Sequence, residues 1–190
     1  MKLHLCCGDI YLDGYANCDL YGILLSDSKC LNNPNKTTLN KYFQYPFEKD
    51  IRKRKKREIM VDVEMDILKR WPFFGNCVDE IVMISAFEHF EHLTEIPHIV
   101  KEAYRVLKKG GIWKFDFPDI KKQVDEWYGK DDEFMMELIY CNHKNELSMH
   151  MWGYTEKTIP NYLIPSNWKL EFKEVVKHDY PMIGVEATKI

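Results

Sequence analysis

The sequence predicts an α/β fold: a mostly parallel seven-stranded sheet, closed by a C-terminal antiparallel hairpin, with helices on both faces. Two observations carry this. Short apolar runs recur between turn signals and helical stretches, the signature of strand, crossover and strand. The last forty residues instead hold two runs, 169–179 and 184–190, close enough to pair as a hairpin. At 190 residues the chain has room for one such core, so residues 1–190 are expected to form a single domain.

Lys2 to Cys6 (KLHLC) alternates and empties into a Cys-Gly-Asp turn, which makes it the first strand. After Asp13-Gly14, Tyr15 to Leu20 (YANCDL) forms the second and ends in an acid. From 21 to 58 the pattern lapses, with Asn32-Asn33-Pro34-Asn35 as a loop and a cationic run, Arg52 to Arg57 (RKRKKR), in an irregular basic insertion or crossover. Ile59 to Met65 alternates and closes on Asp66 as the third strand, and Val78 to Ser85 (VDEIVMIS) is the clearest strand of all, apolar enough to be buried on both faces.

Between Phe87 and Leu107, apolar residues at Phe90, Leu93, Ile96, Ile99, Val100, Ala103, Val106 and Leu107 follow helical spacing. Lys108-Lys109-Gly110-Gly111 then supplies cations for a last turn and a glycine stop. Ile112 to Phe117 is the fifth strand, stopped by Pro118-Asp119. Residues 121–165 read as mixed helical and polar, suited to a lid over a substrate.

The balance of charge excludes some functions. A net charge of -3 gives no global attraction for nucleic acid, which a basic domain would show. The first ten residues develop no apolar run, so neither signal peptide nor membrane anchor is expected, and a soluble, cytoplasmic protein follows. The scattered cysteines fit neither a redox pair nor a zinc site and read as reduced core thiols.

In an open α/β sheet, ligands bind beyond the carboxyl ends of the strands. Those ends offer Cys6-Cys7-Gly8-Asp9, Asp19, Asp66, Ser85-Ala86-Phe87 and Phe117-Pro118-Asp119, several of them polar groups suited to a nucleoside. Gly8 lets the backbone turn sharply against a ligand. Asp19 can accept from both hydroxyls of a ribose, and Asp66 from an exocyclic amine.

At these residues the chain resembles the class I S-adenosylmethionine-dependent methyltransferases of Rossmann-like fold, in particular small bacterial and phage-type members. The likeness rests on LHLCCGDIYLDGYANCDL (3–20), VDEIVMISAFEHF (78–90) and RVLKKGGIWKFDFPD (105–119), three motifs in order over about two thirds of the chain. It implies that S-adenosylmethionine is the cofactor and S-adenosylhomocysteine the product. Cys6, Cys7 and Gly8 would line the methionine side, Asp19 with Leu20 the ribose, Asp66 with Ile67 the adenine, and Ser85, Ala86, Phe87 and His89 the sulfonium side. The family usually has glycine where this chain has Cys6.

The implied reaction aligns an acceptor nucleophile with the sulfonium methyl, with His150, Asp119 and His89 as candidate bases and His150 favoured for its aromatic surroundings. A small-molecule or sugar-like acceptor is expected. Two alternatives stand beside it: a cofactor-binding module without turnover, and a nucleic-acid-modifying enzyme docking through Arg52 to Arg57. Against the latter, Ser85-Ala86-Phe87-Glu88 lacks the Asn/Asp-Pro-Pro-aromatic signature of enzymes that methylate base amines. Glu88-His89-Phe90-Glu91-His92 lacks the spacing of a metal helix, so no metal is expected, and Glu88 and Glu91 read as acids favourable at a helix start.

Overall fold

A computed structural model describes residues 1–24, 36–38, 59–141, 146–163, 167–174 and 180–190. The strands are β1 (Lys2–Leu5), β2 (Tyr11–Leu12), β3 (Ala16–Asp19), β4 (Ile23–Leu24), β5 (Lys36–Thr37), β6 (Met60–Val61), β7 (Val63–Glu64), β8 (Val78–Met83), β9 (Leu107–Pro118), β10 (Trp168–Glu174) and β11 (Met182–Lys189). The helices are α1 (Glu95–Val106), α2 (Ile120–Trp127) and α3 (Asp132–Tyr140).

Seven strands form one sheet in the order β10-β11-β9-β8-β1-β3-β7. Pairings from β9 through β8, β1 and β3 to β7 are parallel, whereas β11 runs antiparallel to both β9 and β10. The expected architecture is therefore present, down to the closing hairpin. The order reverses at β1, whose neighbours are β3 on one side and β8 on the other, so the crevice of an open sheet opens beyond Leu5.

The core is built around β8 and β9. Val78, Ile81 and Met83 are fully buried, and Trp113, Phe115 and Phe117 alternate along β9 into the same cluster, where Phe87 stacks on Phe115 at 4.7 Å. Helix α1 lays Ile96, Ile99, Val100, Ala103 and Val106 into this cluster at helical spacing. Tyr154 is buried among Phe87, Phe117 and Tyr162, so its ring serves packing.

Three local expectations are corrected. The helix does not run from Phe87: a single 3-10 turn at Phe87–His89 precedes a bend, and α1 begins at Glu95 because the Glu91 carboxylate captures the amides of Leu93 and Thr94. Lys108 to Gly111 form no last helical turn, since Leu107 is already extended and opens β9. The end of α1 is instead closed by tertiary partners: Lys189 Nζ donates to the Tyr104 and Leu107 carbonyls at 2.7 Å, and the Asn76 and Cys77 amides reach Arg105 and Val106. The third strand is split at Asp62, whose carboxylate accepts from the Asn17 amide and the Tyr11 hydroxyl.

Among the described residues no helix is long and apolar enough to cross a membrane. The cationic run 52–57 and most of 21–58 lie outside the described residues.

Candidate functional site

A cleft of about 630 Å³ opens beyond the carboxyl ends of β1, β3, β7 and β8, a size suited to a nucleoside-containing ligand. Its first wall is the turn after β1. Cys6 adopts φ 51° and Gly8 φ 52°, both in the left-handed region. For Gly8 that conformation is free of steric cost, whereas Cys6 holds it against its own Cβ. The usual glycine at this place thus has a local reason, which the structure supplies.

Asp19, at the end of β3, organises the turn. Its Oδ2 accepts from the Gly8 amide at 2.8 Å and its Oδ1 from the Leu20 amide at 2.7 Å. A carboxylate has about four lone-pair sites, so two remain for a diol on the cleft side. Beneath the turn lies a buried polar node: Asn17 accepts from His4 Nδ1 at 2.9 Å and donates to the Leu12 and Tyr15 carbonyls at 3.0 Å. Burial holds His4 down at about 4, so the ring stays neutral.

The opposite wall is the segment after β7. Asp66 accepts from the Leu68 amide at 2.9 Å, which leaves its outer oxygen 3.4 Å from Lys69 Nζ, and Ile67 and Met65 add apolar surface. This segment is pinned from behind: Trp71 Nε1 donates to the Ile67 carbonyl, and Arg105 donates to the Trp71 and Phe73 carbonyls while paired with Glu102.

The floor follows β8. Ser85 has φ 48°, a second non-glycine residue in the left-handed region, and its amide donates to Asp116 Oδ1 at 2.6 Å. Strained backbone on two adjacent strand ends is the kind of cost that persists where a site is over-determined. Burial raises the Asp116 carboxyl to about 7 and, with Asp116 nearby, the Glu88 carboxyl to about 8. Burial beside Asp19 raises the Cys6 and Cys7 thiols, and burial raises Cys18 to about 12, which disfavours the thiolate at all three.

Of the residues singled out in the sequence, the cleft is lined by Cys6, Asp19, Leu20, Asp66, Ile67, Ser85, Ala86 and His89. Cys7 is buried with its thiol toward the Gly8 and Met60 carbonyls, and Phe87 is locked in the core, so both support the wall from behind. Asp119 stands apart: it caps α2, accepting from the Lys122 amide at 3.1 Å. That duty accounts for the residue, and the cleft does not include it. His150 sits just behind the lining, its Nδ1 bonded to the Ile139 carbonyl at 3.1 Å and its ring 4.8 Å from His89. Glu88, expected as a helix-start acid, is instead buried next to it.

Sequence reading expected a lid within 121–165 but singled out none of the residues by which that segment lines the cleft. Leu147, Met149 and Met151 line the cleft from the segment between α3 and Tyr154, Phe90 lines it from the bend before α1, and Glu95 from the first residue of that helix. The Met151 amide donates to the Glu88 carbonyl at 2.8 Å, which ties this segment to the floor. The only sequence signal was the spacing of Leu147, Met149 and Met151, of which Leu147 lies in a 3-10 turn, Glu146–Ser148.

Comparison with known proteins agrees with the fold. Residues 36–115 match a methyltransferase domain family. A SAM-dependent methyltransferase from Methanosarcina mazei superposes with a TM-score of 0.54 at 17% identity, over 100% of this chain and 92% of that one. A SAM-dependent methyltransferase from Aquifex aeolicus gives 0.50 at 16% identity, over 100% and 81%. A chain of the complex between the Haloferax volcanii Trm112 methyltransferase activator and the putative methyltransferase gives 0.53 at 11%, over 99% and 81%. No curated protein matches the sequence.

Proposed function

We propose that this chain is a class I S-adenosylmethionine-dependent methyltransferase, a reading supported by motif order, domain match and fold, and that it methylates a small-molecule or sugar-like acceptor. The observation that carries the reading is the convergence of Asp19, Asp66 and the Ser85-Ala86 strand end on one cleft at the sheet's switch point.

The residues fit the cofactor part by part. Asp19 holds the ribose hydroxyls while its other lone pairs fasten Gly8, and Asp66 meets the adenine edge with Ile67 and Met65 against the ring face. Ser85 and Ala86 lie where the methionine portion would run, with Cys6 opposite. Bound S-adenosylmethionine supplies an electrophilic methyl group on a sulfonium. The protein's contribution is alignment and exclusion of water, for which Leu147, Met149 and Met151 provide an apolar roof. Residues 146–163 then act as the lid, and a compact acceptor suits the space left beneath it.

Calorimetric titration with S-adenosylhomocysteine, followed by an acceptor screen reading release of that product, tests the proposal. Binding in the micromolar range with turnover on a hydroxylated small molecule is expected. Absence of any binding would overturn it.

A further inference from the structure

Glu88, His89 and His150 are brought together by two segments sixty residues apart. One potential ligand atom from each lies within 4.8 Å of the others, and His150 Nε2 is 3.9 Å from Glu88 Oε1. The Nδ1 atoms of both histidines face backbone carbonyls, His89 to Met149 at 2.9 Å and His150 to Ile139 at 3.1 Å. A carbonyl oxygen only accepts, so each Nδ1 carries the hydrogen and the neutral ring presents its lone pair at Nε2. This is how ligating histidines are usually oriented, with the far nitrogen tied down.

A second observation points to a ligand. Glu88 is 2% exposed, and its Oε2 has no hydrogen-bond partner among the described residues. A buried carboxylate oxygen without a donor is costly unless something cationic meets it. Among the described residues no lysine or arginine pairs with Glu88, and its ion-pair partner is His150.

We propose that Glu88, His89 and His150 bind one divalent cation of the first transition row, Zn²⁺ or Mn²⁺, at the acceptor end of the cleft, and that the cation takes a hydroxyl oxygen of the acceptor. Two imidazoles and one carboxylate are the donor set of open catalytic sites, with further positions left for substrate. Ligands about 2.0–2.2 Å from an ion lie about 3 to 3.5 Å from one another, so side-chain rotations of roughly an ångström complete the set. His89 itself lines the cleft, which puts the cation beside the place assigned to the sulfonium.

The proposal rests on the methyltransferase reading and narrows its acceptor to a hydroxyl compound. Coordination lowers the pKa of a bound hydroxyl, whose proton leaves to water. The oxygen lone pair then forms the O–CH3 bond as the S–CH3 bond breaks, and that electron pair returns to sulfur, leaving S-adenosylhomocysteine.

The test is calorimetric titration of chelator-treated protein with ZnCl2 and with MnCl2, each in the presence of S-adenosylhomocysteine. One ion per chain is expected for the wild type. Loss of an outer partner of a metal site costs 10–100-fold, so loss of a ligand in Glu88→Gln or His150→Ala should weaken the ion by at least about 100-fold. S-adenosylhomocysteine affinity in both variants should stay within about twofold of wild type, which also shows that they fold. A wild type that binds S-adenosylhomocysteine but neither ion, or ion binding that survives both substitutions, would overturn the cation site alone. Failure of the wild type to bind S-adenosylhomocysteine would overturn the methyltransferase reading beneath it.

Discussion

Replacing Asp19 separates its two duties. In Asp19→Ala the Gly8 and Leu20 amides lose carboxylate acceptors at 2.8 and 2.7 Å, in a turn that is only partly exposed. Each charged hydrogen bond contributes about 1.5–3 kcal/mol where it is buried, and water replaces part of that here, so stability should fall by about 2–3 kcal/mol. The cofactor separately loses its ribose acceptor, worth about 1–3 kcal/mol, or a roughly 5- to 150-fold rise in Kd. Asp19→Asn keeps one oxygen to hold Gly8 but turns its NH2 group toward the Leu20 N–H, so it should lose about half as much stability, about 1–1.5 kcal/mol, while still weakening the ribose contact. Urea unfolding and titration with S-adenosylhomocysteine, run on the same preparations, measure the two effects. If Asp19→Ala is destabilised but binds within twofold of wild type, Asp19 serves the turn only and the ribose lies elsewhere.

Other residues carry expectations of the same kind. His4 is held neutral at about 4 in the fold against 6.5 in an exposed ring, so the unfolded chain takes up a proton that the folded chain refuses; stability should drop by up to about 3 kcal/mol as pH falls from about 6.5 to about 4. Denaturant melts of His4→Gln across that interval should lose this part of the slope, and an unchanged slope would assign the acid sensitivity to other groups. Lys189→Met leaves the Tyr104 and Leu107 carbonyls without their donor and should cost about 2–4 kcal/mol in guanidinium unfolding, a loss below about 0.5 kcal/mol meaning that water replaces the ammonium freely. At Cys6 the left-handed backbone makes Cys6→Gly nearly neutral, within about 1 kcal/mol, whereas the β-branched Cys6→Val should lose more than about 2 kcal/mol. Equal stability of the two variants would show that φ at this residue relaxes.

The strands were legible because alternation is a local property. Lys2 to Leu5, Ala16 to Asp19, Val78 to Met83 and the closing hairpin appear within a residue or two of where periodicity places them, except near 175–179, which lies outside the described residues. Boundaries failed where a side chain from elsewhere intervened. Asp62 interrupts the third strand because it answers Asn17 and Tyr11, and Lys189 closes a helix whose sequence ended in its own cations. Asp119 illustrates the converse: an acid at a strand end looks the same in sequence whether it faces a ligand or caps the next helix.

By itself the sequence determined the chain order of the strands in the main sheet, its parallel pairing with the closing hairpin, and several residues that line the cleft, because each is written in periodicity or in a short ordered motif. Tertiary structure alone decided the roof of Leu147, Met149 and Met151, the burial of Glu88, and its meeting with His89 and His150. No window of sequence holds that meeting. It arises because the turn after β8 and the segment after α3 are packed against each other by the core around Phe87 and Tyr154, contacts whose partners lie some sixty residues apart.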